Sequence, residues 1–109
     1  MLYICIEDFY TEAQQHSRLT KEEELDCARK MAEGDLSARS RIVQSYLPTV
    51  AGHIKRLPQK DQTLYAVYHC LAELEKAVDS FDFLQSRETF PHHLSRYMRQ
   101  AVTKCIAHY

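Results

Sequence analysis

The chain has 109 residues, of which 45 % are apolar, so it can form one core but is too short for two ordinary domains. Two glycines and three prolines leave little material for hairpin turns, which favours helices over a sheet. The net charge of −1 argues against a protein that coats nucleic acid, and no apolar stretch approaches the roughly 18 residues that span a bilayer.

Charge is distributed unevenly along the chain. Residues 1–36 carry nine acids and four bases, a net charge of −5. Residues 87–109 carry one acid and four bases, a net charge of +3. We therefore expect any polyanion to meet the C-terminal helix.

The cysteines are widely separated and include no C-x-x-C pair, which argues against a disulfide framework and a zinc site. They are Cys5, Cys27, Cys70 and Cys105. We expect reduced, mostly buried thiols in a cytoplasmic protein. The apolar start at residues 1–6 has no basic flank and is followed by Glu7 and Asp8, so a signal peptide is not expected.

The first half of the chain predicts an N-terminal lead-in over residues 1–18, as a short helix or an extended segment, before one helical domain over residues 19–109. Thr20-Lys-Glu-Glu23 has the capping-box pattern and predicts a helix to about Glu33, closed by Gly34. Asp35 can cap a second helix over about 36–57, in which Pro48 predicts a kink.

The second half predicts a regular amphipathic helix over about 62–80, capped by Asp61 or Thr63. A connection follows, and Thr89-Phe90-Pro91 opens a last helix with proline at an early position. The fold class is therefore a compact all-α bundle of four to five helices with short connections.

Four segments in the same order resemble regions 1.2 to 2.4 of sigma-70 family factors. They are L-T-K-E-E-E-L at 19–25 with G-D and A-R at 34–39, Y-L-P-T-V with I-K-R at 46–56, K-A-V-D-S-F-D at 76–82, and F with M-R-Q-A-V at 90–102. The resemblance implies a sigma region 2-like fold that docks on the beta-prime coiled coil of core RNA polymerase. It also implies opening and holding of the promoter −10 element.

The resemblance, together with the cations of the last segment, assigns promoter DNA contacts to the last helix and the connection before it. Stacking faces would hold bases and cations would hold phosphates. The assigned residues are Arg87, Phe90, His93, Arg96, Tyr97, Arg99, Gln100, Thr103 and Lys104.

The contact positions depart from the family pattern. The family's D-L-I-Q-E-G-N corresponds to Y-A-V-Y-H-C-L at 65–71, so an electrostatic docking face has become aromatic. That face either binds polymerase differently, binds another partner, or is an ordinary bundle edge. The expected contacts are Tyr65, Tyr68, His69, Glu73 and Lys76. The family's paired tryptophans match Arg96 and Tyr97, and its melting-loop tyrosine matches His93, so we expect weakened strand opening.

Two functional hypotheses follow. The first is a sigma-like transcription factor that binds core polymerase and −10 DNA and needs a second sigma subunit or a missing C-terminal region for the −35 element. The second is a sigma-derived regulator that binds a protein, such as polymerase or an anti-sigma factor, and has lost promoter melting. We expect no enzyme, since no catalytic grouping or phosphate loop is present, and no cofactor or membrane association. A metal role for His92 and His93 is unsupported.

Overall fold

Helices make up the regular structure between residues 3 and 107, the part of the chain that the computed structural model describes. Their bounds are α1 Ile6–Gln14, α2 Lys21–Ala32, α3 Leu36–Ser45, α4 Leu47–Lys55, α5 Leu64–Ser80 and α6 Phe90–Ala107, with a 3₁₀ turn at Gln59–Asp61. The predicted all-α bundle is confirmed. None of the described helices has the length and apolarity needed to cross a membrane.

The predicted capping box starts α2. The hydroxyl of Thr20 accepts from the backbone N–H of Glu23 at 3.1 Å, and the Glu23 carboxylate accepts from the N–H of Thr20 at 2.9 Å. Gly34 ends the helix with φ of 95°, a conformation that is strained for residues with a Cβ. Asp35 then caps α3 by accepting from the N–H groups of Ser37 and Ala38.

The prediction of one kinked helix over 36–57 was wrong, because the chain forms two helices there. α3 ends at Ser45, and the backbone of Tyr46 (φ −103°, ψ 3°) changes direction before α4 begins. Pro48 then occupies the second position of α4, where its missing N–H leaves no hydrogen bond unmade. The proline therefore separates two helices instead of bending one.

Of the two caps predicted for α5, Thr63 is the one used, since its hydroxyl accepts from the N–H of Ala66 at 3.2 Å. Asp61 lies buried in the 3₁₀ turn. The connection between α5 and α6 spans residues 81–89, where the Asp82 carboxylate accepts from the N–H groups of Leu84 and Gln85. This connection brings the start of α6 back against the end of α5.

The core lies between α5 and α6 and is closed by the other four helices. The rings of Tyr46, Phe81 and Phe83 surround Phe90, with centroid distances to it of 4.7, 5.3 and 5.0 Å. The N-terminal lead-in contributes α1, whose Phe9 is fully buried in the same core. α1 is therefore packed as part of the bundle.

Three of the four cysteines are buried and only Cys5 is exposed, and all four are free thiols. Burial raises the pKa of Cys70 to about 12. The three buried thiols act as small core residues, in line with the prediction of mostly buried cysteines.

Candidate nucleic-acid interface and partner surface

The exposed side of α6 carries two cations and two hydrogen-bonding side chains. Arg99, Gln100, Thr103 and Lys104 line one shallow depression, because residues four apart lie one turn above each other. Within residues 3–107, neither Arg99 nor Lys104 has an ion-pair partner. Four of the predicted DNA-contacting residues therefore form one solvent-facing group, referred to below as the α6 face.

Arg96 lies one turn before the α6 face, and its charge is balanced within the chain. Its Nη2 lies 2.9 Å and 3.1 Å from the two carboxylate oxygens of Glu88. The hydrogen bond from Arg96, followed by its charge, lowers the pKa of Glu88, which is therefore ionised at neutral pH. Arg87, on the connection before α6, is exposed. Sequence reasoning missed the role of Glu88, although this residue is the one acid in residues 87–109.

His93 and Tyr97 form a polar cluster with Ser80 at the end of α5. The Ser80 hydroxyl lies 3.0 Å from Nε2 of His93 and 2.8 Å from the hydroxyl of Tyr97, and it donates to the carbonyl of Ala77. With that proton on the Ala77 carbonyl, the Ser80 oxygen can accept from both His93 and Tyr97. Nδ1 of the same His93 ring lies 3.4 Å from Nη2 of Arg96.

The ring faces of this cluster continue a row of aromatic side chains toward solvent. The His93 ring lies 4.9 Å from that of Phe81 and 5.1 Å from that of Tyr97. His93 and Tyr97 are partly exposed. These two predicted DNA-contacting residues are therefore positioned together beside the connection, and Ser80 fixes both of them.

The structure corrects the prediction that Phe90 contacts DNA. Its side chain is 2 % exposed and is enclosed by aromatic neighbours in the core. A base cannot reach its ring without unpacking the start of α6. Phe90 is the first residue of the apolar stripe of α6, and that stripe faces the core, so the ring is buried.

The predicted partner surface on α5 is aromatic and partly exposed. Tyr65 is 51 % exposed, and its ring lies parallel to that of His69 with centroids 5.9 Å apart. Nε2 of His69 is buried and has no hydrogen-bond partner within the described residues. Tyr68 is exposed at the edge of the same helix. These three side chains of α5 are referred to below as the α5 face.

The structure also corrects the prediction that Glu73 contacts a partner, because this residue is 7 % exposed and lies on the inward side of α5. Its carboxylate accepts from Nζ of Lys76 at 3.2 Å. The side chain of Lys76 is exposed even though it pairs with Glu73.

Tyr3 also contributes to the surface around Tyr68, which the sequence did not predict. Its backbone N–H donates to the hydroxyl of Tyr68 at 2.6 Å, and its own hydroxyl donates to Glu12 at 3.1 Å. Tyr3 and Tyr68 border a groove of about 430 Å³ between α3 and α5, whose other end is lined by Arg39 and Glu75. The weak periodicity of residues 1–17 gave no signal for this contact, which joins residues 65 positions apart.

The sequence is similar to that of RNA polymerase sigma factor SigA from Clostridium acetobutylicum. The two are 33 % identical over 90 residues, which make up 82 % of this chain and 24 % of that protein. The chain thus spans about a quarter of the length of this relative. No protein-family model matches the sequence.

Proposed function

We propose that the chain is a sigma-like transcription module that binds core RNA polymerase and contacts promoter −10 DNA through the α6 face. The similarity to a sigma factor over 82 % of the chain supports the transcription role. The observation that carries the DNA contact is the α6 face itself. Two cations that form no ion pair with the described residues flank a glutamine and a threonine on α6, in the most basic part of the chain.

The chemistry of the α6 face suits duplex or backbone contact. Arg99 and Lys104 would hold phosphates, while Gln100 and Thr103 would present hydrogen-bonding groups to base edges. His93 and Tyr97 would supply stacking surfaces beside the connection. Phe90 is in the core and Arg96 is paired with Glu88, so the module would hold −10 DNA more effectively than it opens it.

Recognition of the −35 element would require a region outside these 109 residues. It would lie either in a longer protein or in a second sigma subunit. The chain covers 24 % of the sigma factor it resembles, so the promoter-reading activity of that whole protein is not assigned to these residues.

The experiment that tests this function is binding of the chain to forked −10 DNA at low salt with core RNA polymerase present. We expect a ternary complex whose affinity falls steeply with salt, because phosphate contacts release counterions. A chain that adds nothing to the DNA affinity of core polymerase would contradict the proposal. A duplex without the −10 sequence is the control for non-specific binding.

A second candidate function is a sigma-derived regulator that acts through protein contacts alone. The α5 face favours it, because aromatic side chains occupy a surface where the family carries acids and a glutamine. Pull-down of core polymerase with Tyr65→Ala and Tyr68→Ala, and Glu22→Ala on the exposed start of α2 as control, tests this face. The regulator would be favoured if only the tyrosine variants failed to bind polymerase and neither wild type nor any variant bound DNA.

A further inference from the structure

Glu88 occupies an anion position among cationic and imidazole side chains at the start of α6. Nη2 of Arg96 donates to one of its carboxylate oxygens at 3.1 Å and lies 2.9 Å from the other, and Nε2 of His92 lies 3.5 Å from that second oxygen. Within residues 3–107, Nε and Nη1 of Arg96 make no hydrogen bond. The guanidinium therefore uses one of its nitrogens on Glu88 and retains donors for a second anion.

A phosphate could replace Glu88 as the ion-pair partner of Arg96. The side chain of Arg96 is 54 % exposed and that of Glu88 is 29 % exposed, so solvent screens the attraction and little stability depends on it. A phosphodiester carries the same charge as a carboxylate and presents two oxygens to a guanidinium. The α6 face begins one turn further along the same helix, so a DNA backbone on that face passes close to Arg96.

We propose that Glu88 is an intramolecular counter-ion that competes with a DNA phosphate for Arg96 and so weakens DNA binding by this chain. The inference rests on the proposed DNA contact and adds a regulatory feature to it. Arg96 is a latent phosphate-binding residue whose availability depends on where the Glu88 carboxylate lies. Wild-type binding therefore involves one phosphate contact fewer than the exposed cations of α6 would suggest.

The test compares Glu88→Gln with Glu33→Gln, a matched variant that removes one negative charge from the exposed end of α2. Affinity for forked −10 DNA is measured by fluorescence anisotropy across a salt series, with core polymerase present. Glu88→Gln should bind roughly three- to five-fold tighter at low salt, and its plot of log affinity against log salt should be steeper by about 0.9, the value for one phosphate. Glu33→Gln should leave the slope unchanged.

Arg96→Gln completes a double-mutant cycle. In the wild-type background it should change affinity little, and in the Glu88→Gln background it should remove the whole gain. A gain that persists without Arg96, or an equal gain from Glu33→Gln, would overturn the inference, since either result would reflect net charge alone. If wild type binds DNA and Glu88→Gln binds it with the same affinity, the counter-ion inference is overturned but the proposed function is not. Absence of DNA binding by every variant overturns the proposed function as well.

Discussion

The guanidinium of Arg39 donates two hydrogen bonds to the carboxylate of Asp79, from Nε at 2.8 Å and from Nη2 at 2.9 Å. Arg39 lies in the A-R end of the first sigma-like segment, and Asp79 lies in the K-A-V-D-S-F-D segment. Glu75 accepts from Nη1 of the same side chain at 3.3 Å. Two segments of the resemblance are thus joined by one two-pronged ion pair between α3 and α5.

Replacing Arg39 should destabilise the fold in a pH-dependent way. Arg39→Gln should lower the free energy of unfolding by about 1 kcal/mol at pH 7, the upper end for a pair this exposed. The hydrogen bond from Arg39 lowers the folded-state pKa of Asp79. The contribution is therefore complete above the unfolded carboxyl pKa of about 3.9 and is lost as pH falls through the lower folded-state value.

Urea unfolding at pH 7 and at pH 2.5 measures this effect. Lys30→Gln, which breaks the exposed pair with Asp26 on α2, is the control and should cost about 0.5 kcal/mol or less. If both variants lose the same free energy of unfolding at pH 7, the two-pronged geometry of the Arg39–Asp79 pair adds no stability beyond that of an ordinary exposed ion pair.

Removing the hydroxyl of Tyr46 should cost stability at neutral pH and matter less in alkali. This fully buried side chain donates to Glu24 at 2.7 Å, so Tyr46→Phe should lower the free energy of unfolding by about 1–2 kcal/mol. Burial, and then the Glu24 carboxylate, raise the pKa of Tyr46. The stabilisation is present below the unfolded tyrosine pKa of about 10 and is lost as pH rises through the folded-state value.

Chemical unfolding of wild type and Tyr46→Phe at pH 7 and pH 11 checks this expectation. The difference in the free energy of unfolding between wild type and Tyr46→Phe should narrow at pH 11. A gap that widens in alkali would contradict the assigned direction of the pKa shift.

A change at Phe90 should act on stability and leave the DNA contact intact. Phe90→Leu removes part of a buried ring and should lower the free energy of unfolding by about 1–2 kcal/mol. The folded variant should keep the wild-type salt dependence of DNA binding. Thermal unfolding and anisotropy on the same preparation separate the two effects. Unchanged stability with lost DNA binding would restore the base-contacting role that the resemblance implied.

Tyr68→Phe should loosen the N-terminal segment without unfolding the bundle. The variant leaves the backbone N–H of Tyr3 without its 2.6 Å acceptor, so amide hydrogen exchange at Tyr3 should accelerate about five- to tenfold. Tyr97→Phe, which removes the tyrosine hydroxyl beside Ser80 on α6, is the matched control. Equal exchange in the two variants would mean that Tyr68 does not hold Tyr3.

Local signals were enough to predict much of the fold. Thr20, Gly34 and Thr63 each act through neighbours within four residues, so their roles can be read from short patterns. The break at Tyr46 was missed because a continuous apolar stripe crosses it, and periodicity alone cannot distinguish a kinked helix from two packed ones. The packing of α1 depends on Phe9 entering a core formed by distant residues.

The candidate site was less accessible to sequence reasoning because its geometry depends on contacts between elements. Arg99 and Lys104 were both predicted to hold phosphates, and the structure places them along one exposed depression of α6. The pairing of Arg96 with Glu88, the fixing of His93 and Tyr97 by Ser80, and the burial of Phe90 all require the path of the connection over residues 81–89. A loop path is set by tertiary packing, which short patterns do not specify.

The central claim is that the α6 face holds promoter DNA, and the salt dependence of binding tests it most directly. The double variant Arg99→Gln/Lys104→Gln is compared with Arg29→Gln/Arg41→Gln, which removes two exposed cations from α2 and α3, on forked −10 DNA with core polymerase. We predict that the α6 variant binds at least about tenfold more weakly at low salt, with a slope shallower by about 1.5–2, while the control matches wild type. Equal slopes for wild type and both double variants would contradict the account.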